Sequence, residues 1–288
     1  MNKLALVSWT LGIGPVADLM DKVLQHGLDR LWFAGDHTEY DAAEVRRVGS
    51  AKGVQIVCVD PMHCKPPVPR EASAAGAIAY YRGVVQFAAD LGGCPVAVQG
   101  MSQWTVNCKD RSDAGARLIA VLRAVDAFAK ENEVPLYYEA VNPYEAPLIH
   151  SSTELNALLD ALGSANVHVT LDAFHMHGNE QSSTRAILSC AKRLKAYHIS
   201  DSGRGGIGSG QTDFIAEFNT LAATGFDGIV AVELVLPELT PSQPPRTPDQ
   251  RARLDIEIAR SVAVWTALGT TAMPAPCAPA SLGATART

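Results

Sequence analysis

Long hydrophobic runs and clusters of basic residues are both missing from this sequence. Hydrophobic residues make up 47% of the 288 positions, yet no apolar run approaches the roughly 20 residues that a membrane-spanning helix needs. The formal net charge is -6, and nucleic-acid binding draws much of its affinity from neutralising phosphates. We therefore expect a soluble protein with neither a membrane nor a nucleic acid as its partner.

Regularly spaced cysteines are also missing, and we expect no secretory leader. The six cysteines form no CxxC motif, so we interpret them as reduced thiols rather than as a disulfide framework. The amino end, MNKLALVSWTLG, has a short apolar run but no small-residue cleavage site. Together these features predict a cytoplasmic protein.

No complete GxGxxG fingerprint follows the first hydrophobic run. Gly12 and Gly14 occur there, but Pro15 comes next and a third glycine is absent, so the signal for a dinucleotide-binding sheet is weak. A length of 288 residues is long for one ordinary domain but normal for a single (β/α)8 barrel. The order of the hydrophobic segments has to decide the architecture.

Eight short apolar runs recur along the chain, with longer helix-like segments between them. Their near-continuous apolarity is typical of parallel strands that are covered on both faces. Helical spacing marks the segments 16–27, 77–92, 114–131 and 151–163. Eight β-then-α units with right-handed crossovers predict an α/β protein with a (β/α)8 TIM barrel. The predicted strands cover residues 4–9, 30–34, 54–59, 95–99, 134–139, 167–172, 194–200 and 229–234.

Helix boundaries carry recognisable signals in the sequence. Ser152 and Thr153 stand where an N-cap belongs before Glu154. We also interpret Asp213 as a helix cap rather than a site residue. Glycines stand where three of the helices should end, at Gly27, Gly92 and Gly163.

The carboxyl-terminal stretch differs in composition from the rest of the chain. Beyond about Gly269 it is rich in Ala, Pro, Ser and Thr and has little large apolar surface to pack. We expect a single catalytic barrel over residues 1–268 and a disordered tail over 269–288. We interpret the Pro-rich stretch 237–250 as a loop that borders the mouth of the barrel.

Ionisable residues stand at the ends of the last four predicted strands, which finish in Glu139, Asp172, His198 and Glu233. In a (β/α)8 barrel the carboxyl ends of the strands meet at one mouth, where catalytic residues gather. Three carboxylates and an imidazole in one closed cavity require a positive partner. This donor set suits Mn²⁺, Mg²⁺ or Co²⁺ better than structural zinc. The alternative is that each residue is an ordinary polar group paired with a loop lysine or a backbone amide.

Further candidate residues follow the same strands. Glu145 follows strand five, His175 and Glu180 follow strand six, and Arg204 follows strand seven. We expect Glu180 to support His175 without touching the metal, and His177 to be a loop residue. The glycines between 203 and 210 either let the backbone approach a ligand closely or simply turn the chain toward the next helix. The residue pattern alone leaves both readings of this loop open.

Four motifs dominate the second half of the chain: EAVNPYE (139–145), LDAFHMHGNE (171–180), HISDSGRGGIGSGQTDF (198–214) and VEL (232–234). They resemble the motifs of the xylose isomerase-like sugar isomerase and epimerase superfamily, most closely those of the ketose 3-epimerases of the D-tagatose and D-psicose type. The resemblance extends from about Val134 to Leu234, whereas the first half matches only in its βα periodicity. One departure is Pro143, where the family usually has an arginine; it concerns the sugar rather than the metal site.

The resemblance implies that Glu139, Asp172, His198 and Glu233 coordinate one divalent metal, with Mn²⁺ as first choice and Co²⁺ or Mg²⁺ as alternatives. It also implies that Glu139 and Glu233 are the catalytic acid and base. One would remove the C3 proton of a small keto-sugar, and the other would return a proton to the opposite face through an enediolate, which inverts C3. The same metal site also suits a hydroxypyruvate isomerase or a keto-inositol dehydratase. A homo-oligomer, dimer or tetramer, is implied as well.

Substrate contacts are expected from five residues. The resemblance implies that Glu145, His175 and Arg204 hold the hydroxyls and the carbonyl end of the sugar. Trp9 and Trp104 lie at or just beyond strands one and four, where an aromatic face suits a sugar, although either could pack in the core. The lack of a basic cluster near the mouth favours an unphosphorylated substrate, although Arg204, Lys65 and Arg70 leave a phosphorylated one open. We assign Trp32 to the core, and His63 and Lys65 to a solvated loop.

Overall fold

The structure, a computed structural model, describes residues 3–239 and 244–271. Eight parallel strands follow one another around a closed barrel, and pairing of β1 with β8 completes the ring. The predicted (β/α)8 barrel is thereby confirmed. The strands are β1 (Leu4–Val7), β2 (Arg30–Ala34), β3 (Gln55–Asp60), β4 (Val96–Ala97), β5 (Leu136–Glu139), β6 (Val167–Asp172), β7 (Leu194–Ile199) and β8 (Ile229–Val232).

Helices connect successive strands and surround the barrel. Three short 3-10 helices lie in the loops, at Trp9–Leu11, Pro69–Glu71 and Gln99–Thr105. In the described part of the chain, none of the helices is long and apolar enough to cross a membrane. The α-helices are α1 (Val16–Gln25), α2 (Ala42–Lys52), α3 (Ala74–Asp90), α4 (Arg111–Glu131), α5 (Ser152–Leu162), α6 (Ala173–Asn179), α7 (Ser183–Cys190), α8 (Phe214–Ala223) and α9 (Pro248–Thr271).

Side-chain caps explain where several helices begin. The Asp213 carboxylate accepts the backbone N–H of Ala216 at 2.9 Å, which confirms the predicted cap of α8. The cap of α5 is Ser151, whose hydroxyl accepts the N–H of Glu154, so the prediction of Ser152 or Thr153 is wrong by one or two residues. The three predicted glycines follow the ends of α1, α3 and α5 with positive φ, at Gly27, Gly92 and Gly163.

The interior of the barrel is packed mainly with small side chains around two large aromatic residues. Trp32 is only 1% exposed, which confirms its assignment to the core, and Tyr137 lies near it with ring centroids 6.2 Å apart. The remaining interior side chains are Ala5, Val7, Val57, Cys58, Ala97, Ala196 and Ala231. Because this plug fills the barrel, a ligand can enter only above it, at the ends of the strands.

The structure departs from the sequence-based boundaries at two places. Strand β4 has two residues, because the chain turns into a 3-10 helix at Gln99. Helix α9 continues to Thr271, three residues beyond the expected domain end at 268, and the rest of the expected tail, 272–288, lies outside the described residues. In the Pro-rich loop, where 240–243 also lie outside the described residues, Pro244 lies against Gly12 beside the mouth.

The cysteines are free thiols wherever the structure describes them. This agrees with the prediction of reduced thiols rather than a disulfide framework. Cys277 lies outside the described residues. The thiols observed are those of Cys58, Cys64, Cys94, Cys108 and Cys190.

Candidate active site

The four strand-end residues meet in one buried cluster. Glu139 and Asp172 are the last residues of β5 and β6, His198 is next to last in β7, and Glu233 follows β8 directly. The strand register places Asp172 beside His198. One ligand atom from each of the four residues lies within 4.8 Å of all the others. None of the four is more than 5% exposed, so the closed cavity expected at the strand ends is present.

Several buried polar atoms in this cluster have no hydrogen-bond partner in the described part of the protein. They are Glu139 Oε1, Asp172 Oδ2 and both ring nitrogens of His198. His198 Nδ1 lies 3.7 Å from Glu139 Oε1, 4.0 Å from Asp172 Oδ2 and 3.4 Å from Glu233 Oε2. Unpaired buried acceptors and adjacent carboxylates are costly without a cation among them. The donor set therefore fits one divalent metal that favours oxygen ligands.

The environments of these carboxyl groups differ. Burial raises the pKa of Glu139 well above its ordinary value, and the charges of Glu233 and Asp172 raise it further. Burial also raises the pKa of Asp172, again with help from Glu233. Burial opposes ionisation of Glu233 too, but His198 and Arg204 outweigh it and hold the pKa of Glu233 well below its ordinary value. In the absence of a metal, Glu233 is thus the carboxylate that these neighbours favour as an anion.

Neighbouring side chains fix the orientation of the ligands. The second oxygen of Asp172 accepts the Ser200 hydroxyl at 2.8 Å and also caps α6. Trp9 donates its indole N–H to Glu233 Oε1 at 2.6 Å. The edge of one ring meets the face of the other between Trp32 and His198, with centroids 4.5 Å apart. Contacts of this kind preorganise a metal site because they hold each ligand in place before binding.

Arg204 covers the cluster from the loop after β7. Its guanidinium bonds Glu145 Oε1 at 2.6 Å and lies 3.8 Å from Glu233 Oε2. The same group lies over the rings of Trp9 and Phe174, at 5.1 and 5.0 Å from their centroids. The backbone of Arg204 has a φ of 65°, a conformation that a bulky residue adopts at a cost. Strain at a residue that faces the cluster is typical of functional sites.

His175 faces the carboxylates as a neutral hydrogen-bond donor. Burial, followed by the charge of Arg204, lowers the pKa of His175 to about 3. The backbone N–H of Asn142 donates to His175 Nδ1 at 3.3 Å, so the neutral ring carries its proton on Nε2. That nitrogen lies 3.8 Å from Glu139 Oε1 and 3.6 Å from Glu145 Oε2. It therefore presents a donor where a bound molecule would meet the cluster.

A cavity of about 560 Å³ opens directly above these residues. Its volume lies within the range of small-molecule sites. The structure thus brings the predicted residues Trp9, Glu145, His175 and Arg204 together beside the four clustered residues. The lining also includes Asp60, Met62, Lys65, Tyr81, Gln99, Gln103, Glu139, Tyr144 and Glu233.

Trp104 lies in the hydrophobic core rather than at the cavity, contrary to the expected substrate contact. Its side chain belongs to the hydrophobic core, is 7% exposed and is absent from the cavity lining. Its indole N–H donates to the Cys64 carbonyl at 2.7 Å, and its ring lies beside Tyr80. The 3-10 helix that contains Trp104 directs the indole into the protein, where it supports the loop after β3.

Two residues of the LDAFHMHGNE motif also differ from expectation. The Glu180 carboxylate accepts the backbone N–H of Ser152 at the start of α5, so it supports that helix rather than His175. His177 is exposed on α6 and is not a loop residue. In the neighbouring glycine-rich loop, Gly206 and Gly210 pack closely against other side chains of the protein. Close packing and turns therefore explain these glycines.

The expectation that His63 and Lys65 lie in a solvated loop after β3 holds fully for His63 and only partly for Lys65. His63 is exposed and lies 3.2 Å from Glu39. Lys65 is exposed as well, but it lines the cavity at its rim. Asp60, which the sequence reasoning missed, is the last residue of β3 and is 8% exposed. Its position at a strand end is the same signal that identified Glu139, and the predicted strand stopped one residue short of it.

Asp60 ends β3, on the other side of the barrel mouth from the strands that carry the four clustered residues. Two hydrogen-bond donors hold its carboxylate. Its carboxylate accepts the indole N–H of Trp32 and the amide of Gln99, each at 3.3 Å. Burial, followed by the charge of Glu233, raises the pKa of Asp60 to about 6. The cavity therefore has a second buried acid that no motif indicated.

Comparison with protein families places the chain. The model of the xylose isomerase-like TIM barrel family matches residues 20–261. An L-ribulose 3-epimerase of Mesorhizobium japonicum is 29% identical over 196 residues, which cover 68% of this chain and 61% of that protein. A D-psicose 3-epimerase of Agrobacterium fabrum is 25% identical over 234 residues, or 78% of this chain and 80% of that protein. The chain thus spans about three fifths of the length of the first relative.

Solved structures share the same fold. A D-psicose 3-epimerase from Clostridium cellulolyticum, solved with D-tagatose, superposes with a TM-score of 0.78 at 19% identity and covers 92% of this chain and 99% of its own. An L-ribulose 3-epimerase superposes with a TM-score of 0.76 at 23% identity, covering 93% and 94% of the two chains. At these identities the superpositions show the shared fold alone. With the match of the family model over most of its length, this chain belongs to the xylose isomerase-like TIM barrel family.

Proposed function

We propose that this protein is a divalent metal-dependent epimerase that inverts C3 of a small, unphosphorylated keto-sugar. The observation that carries the proposal is the buried cluster of Glu139, Asp172, His198 and Glu233, with its unpaired ligand atoms facing one another. The names of the relatives support the reaction, since they include L-ribulose 3-epimerase, ketose 3-epimerase and D-psicose 3-epimerase. They support a keto-sugar as the substrate class in the same way.

The four clustered residues would hold the metal, and Mn²⁺ is our first choice, with Co²⁺ or Mg²⁺ as alternatives. When bound, a divalent cation polarises a carbonyl and stabilises the negative charge that develops when a neighbouring C–H loses its proton. The protein supplies the rest of the chemistry. Trp9 and Ser200 keep Glu233 and Asp172 in place through their hydrogen bonds.

Glu139 and Glu233 would transfer the protons. They project from β5 and β8, with β6 and β7 between them, so a sugar lying over the cluster has one carboxylate on each side. In one direction a carboxylate oxygen of one glutamate takes the C3 proton from its face. The carboxyl group of the other glutamate then gives a proton to the opposite face of C3. Configuration inverts because removal and return use different faces.

Arg204, Glu145 and His175 would orient the sugar. The Arg204–Glu145 ion pair forms a rigid edge over the cluster, and its unused donor and acceptor positions suit vicinal hydroxyls. His175 Nε2–H donates to a substrate oxygen beside Glu139 without adding a charge. Trp9 offers its face to the carbon chain while its N–H stays on Glu233.

A substrate panel followed by NMR tests this function. D-psicose, D-tagatose, D-fructose, L-ribulose, hydroxypyruvate and a keto-inositol are each incubated with the Mn²⁺-loaded protein, and the products are identified. We expect C3 stereoisomers of at least one ketose. An aldose, a tautomer of hydroxypyruvate or an unsaturated product from a keto-inositol would instead assign the site to the isomerase or dehydratase alternative. No reaction with any ketose would contradict the proposal.

Two further expectations stay predictions. A dimer or tetramer follows from the family resemblance, and light scattering of the purified protein measures its mass. A cytoplasmic location is a proposal as well, and fractionation of the source cells measures it. Neither bears on the chemistry at the strand ends.

A further inference from the structure

Three polar side chains line the part of the cavity formed by β3, β4 and the helix between them. Asp60 ends β3, Gln99 follows β4, and Tyr81 projects from α3. The proposed function gives none of them a role. In a chain that surrounds this wall with apolar side chains such as Ala97 and Val98, three polar groups at one place require an explanation.

The hydrogen-bonding capacity of this group is only partly used. Asp60 accepts two bonds, both as long as 3.3 Å, whereas a carboxylate can accept about four. Gln99 Oε1 and the Tyr81 hydroxyl are buried and have no hydrogen-bond partner among the described residues. Buried polar atoms are nearly always paired in folded proteins. Their unused positions therefore indicate a ligand with several donor and acceptor groups.

The position of this group relative to the metal cluster shows which part of a ligand it would meet. The four clustered residues belong to β5–β8, and β3 and β4 stand on the other side of the barrel mouth. A molecule whose reacting carbons lie over the cluster extends its remaining carbons toward β3 and β4. The cavity, at about 560 Å³, has room for such an extension.

Charge restricts the chemistry of that extension. Asp60 places a carboxylate on this wall, and a phosphate or carboxylate next to it would be repelled. Among the described residues, two cations line the cavity: the guanidinium of Arg204 is already bonded to Glu145, and Lys65 is exposed to solvent at the rim. Hydroxyl groups suit the wall better, because a hydroxyl donates to Asp60 or Gln99 Oε1 and accepts from Tyr81.

We propose that Asp60, Gln99 and Tyr81 form a subsite that binds the terminal hydroxyl of the keto-sugar and selects neutral sugars over deoxy and phosphorylated ones. This inference rests on the proposed function, because it assigns the far end of the same substrate. Asp60 acts here as a specificity-determining residue and takes no part in proton transfer at C3.

The test compares three forms of one sugar on wild type and on Asp60→Asn. The ketohexose that reacts fastest in the panel is used together with its 6-deoxy and 6-phosphate forms, and kcat/KM for C3 epimerisation is measured for each. A hydrogen bond to a charged group contributes enough for roughly a 10- to 100-fold preference for the free hydroxyl over the deoxy form. In Asp60→Asn we expect this preference to shrink to about threefold or less. The disadvantage of the phosphate should shrink as well.

Asp126→Asn is the matched control. Asp126 is also a buried acid, 4% exposed, but it lies on α4 and bonds Lys130 and Asn166 away from the cavity. Its variant should leave the ratio between the three sugars unchanged. If Asp60→Asn does not fold, Gln99→Leu keeps the Asp60 carboxylate but removes the neighbouring acceptor and one of the two donors to Asp60. It should reduce the same preference by a smaller factor.

The outcomes separate the two proposals. A wild-type protein that epimerises the ketohexose, with equal ratios in wild type, Asp60→Asn and Gln99→Leu, would overturn the subsite and leave the epimerase intact. A wild-type protein that reacts with no ketose would overturn the proposed function and the subsite with it. A loss of activity that is equal for all three sugars would assign Asp60 to the structure of the mouth rather than to selectivity.

Discussion

The halves of the barrel mouth formed by β5–β8 and by β1–β4 satisfy their buried polar groups in different ways. On the first half, Glu139, Asp172 and His198 keep ligand atoms without a hydrogen-bond partner among the described residues. On the second half, the Asp60 carboxylate has protein donors in Trp32 and Gln99. The first half thus fits a cation, whereas the second needs none, because its carboxylate has donors and the atoms left unpaired in its described part, Gln99 Oε1 and the Tyr81 hydroxyl, are uncharged. We attribute the reaction to the first half and the recognition of the substrate's far end to the second.

The two halves meet at β1, where Trp9 bonds Glu233 and lies beneath Arg204. One indole thereby fixes a ligand from β8 and covers the edge of the cavity. If the division into a reacting half and a recognising half is correct, substitutions in each half should change different quantities.

Asp172→Asn should have the largest effect. The change removes a negatively charged ligand whose side chain is 0% exposed. We expect the bound metal to be lost. Because the metal's stabilisation of negative charge at the reacting centre is then lost too, kcat/KM should fall by roughly 10³-fold or more. Metal content by mass spectrometry and epimerisation rates check this. Asp60→Asn is the comparison and should keep its metal. Full metal occupancy in Asp172→Asn would contradict the assignment of the first half.

Glu233→Gln should separate the two proton transfers. Loss of one acid–base group costs roughly 10²- to 10⁴-fold in the conversion of one epimer into the other. Glu139 remains, so one of the two epimers should still exchange its C3 proton with solvent faster than it converts. Deuterium incorporation is followed by NMR from each epimer separately, in metal-reconstituted protein. Equal losses of exchange for both epimers would argue against a carboxylate on each side.

Trp9→Phe should give a moderate effect at the junction of the halves. The variant keeps an aromatic ring under Arg204 but removes the N–H that donates to Glu233 at 2.6 Å. We expect kcat to fall by about 10-fold, because one hydrogen bond to a charged group is lost. Metal content should change little. A kcat equal to that of wild type would show that Glu233 needs no help from β1.

Asp255→Asn should have the smallest effect and should leave the chemistry alone. Asp255 on α9 bonds Lys22 of α1 at 2.8 Å and His26, the residue after α1, at 3.1 Å. These contacts lie outside both halves of the mouth. Burial opposes its ionisation, but Lys22 and His26 lower the pKa of Asp255 below its ordinary value. A carboxyl group whose pKa is lowered by folding stabilises the folded state at pH values above its ordinary pKa. This contribution disappears as the pH falls through the folded-state pKa.

We therefore expect Asp255→Asn to lose about 0.5 to 1 kcal/mol of unfolding free energy at pH 7. The difference from wild type should shrink below about pH 4, where the aspartate becomes protonated. Urea unfolding at several pH values measures it. A difference that grows in acid would contradict the sign, and a change in epimerisation would contradict the separation of α9 from the site.

The strand order and the reacting half could be predicted from the sequence because both follow from local patterns. Apolar runs of strand length recur with helical segments between them. The strand register then pairs Asp172 with His198, two positions beyond the pair of Glu139 and Thr170. A (β/α)8 barrel leaves little freedom in where such residues meet. The same reasoning placed Asp213 at the start of α8.

The recognising half could not be predicted as well, because tertiary context decides it. Asp60 lies one residue beyond the predicted end of its strand, and only the packed barrel shows that it faces the cavity. Trp104 looked equivalent to Trp9, but a 3-10 helix directs its indole to the Cys64 carbonyl. Glu180 serves the start of α5, a long-range contact that carries no sequence signal.

The most direct test of the account is deuterium incorporation at C3 of a ketose in D₂O, measured by NMR on one preparation of protein. The sample is stripped of metal with a chelator, assayed, and assayed again after addition of Mn²⁺. We predict that exchange at C3 stops in the stripped protein and returns with Mn²⁺. Exchange that continues at full rate without metal would contradict the central claim that the cluster of Glu139, Asp172, His198 and Glu233 works through a divalent cation.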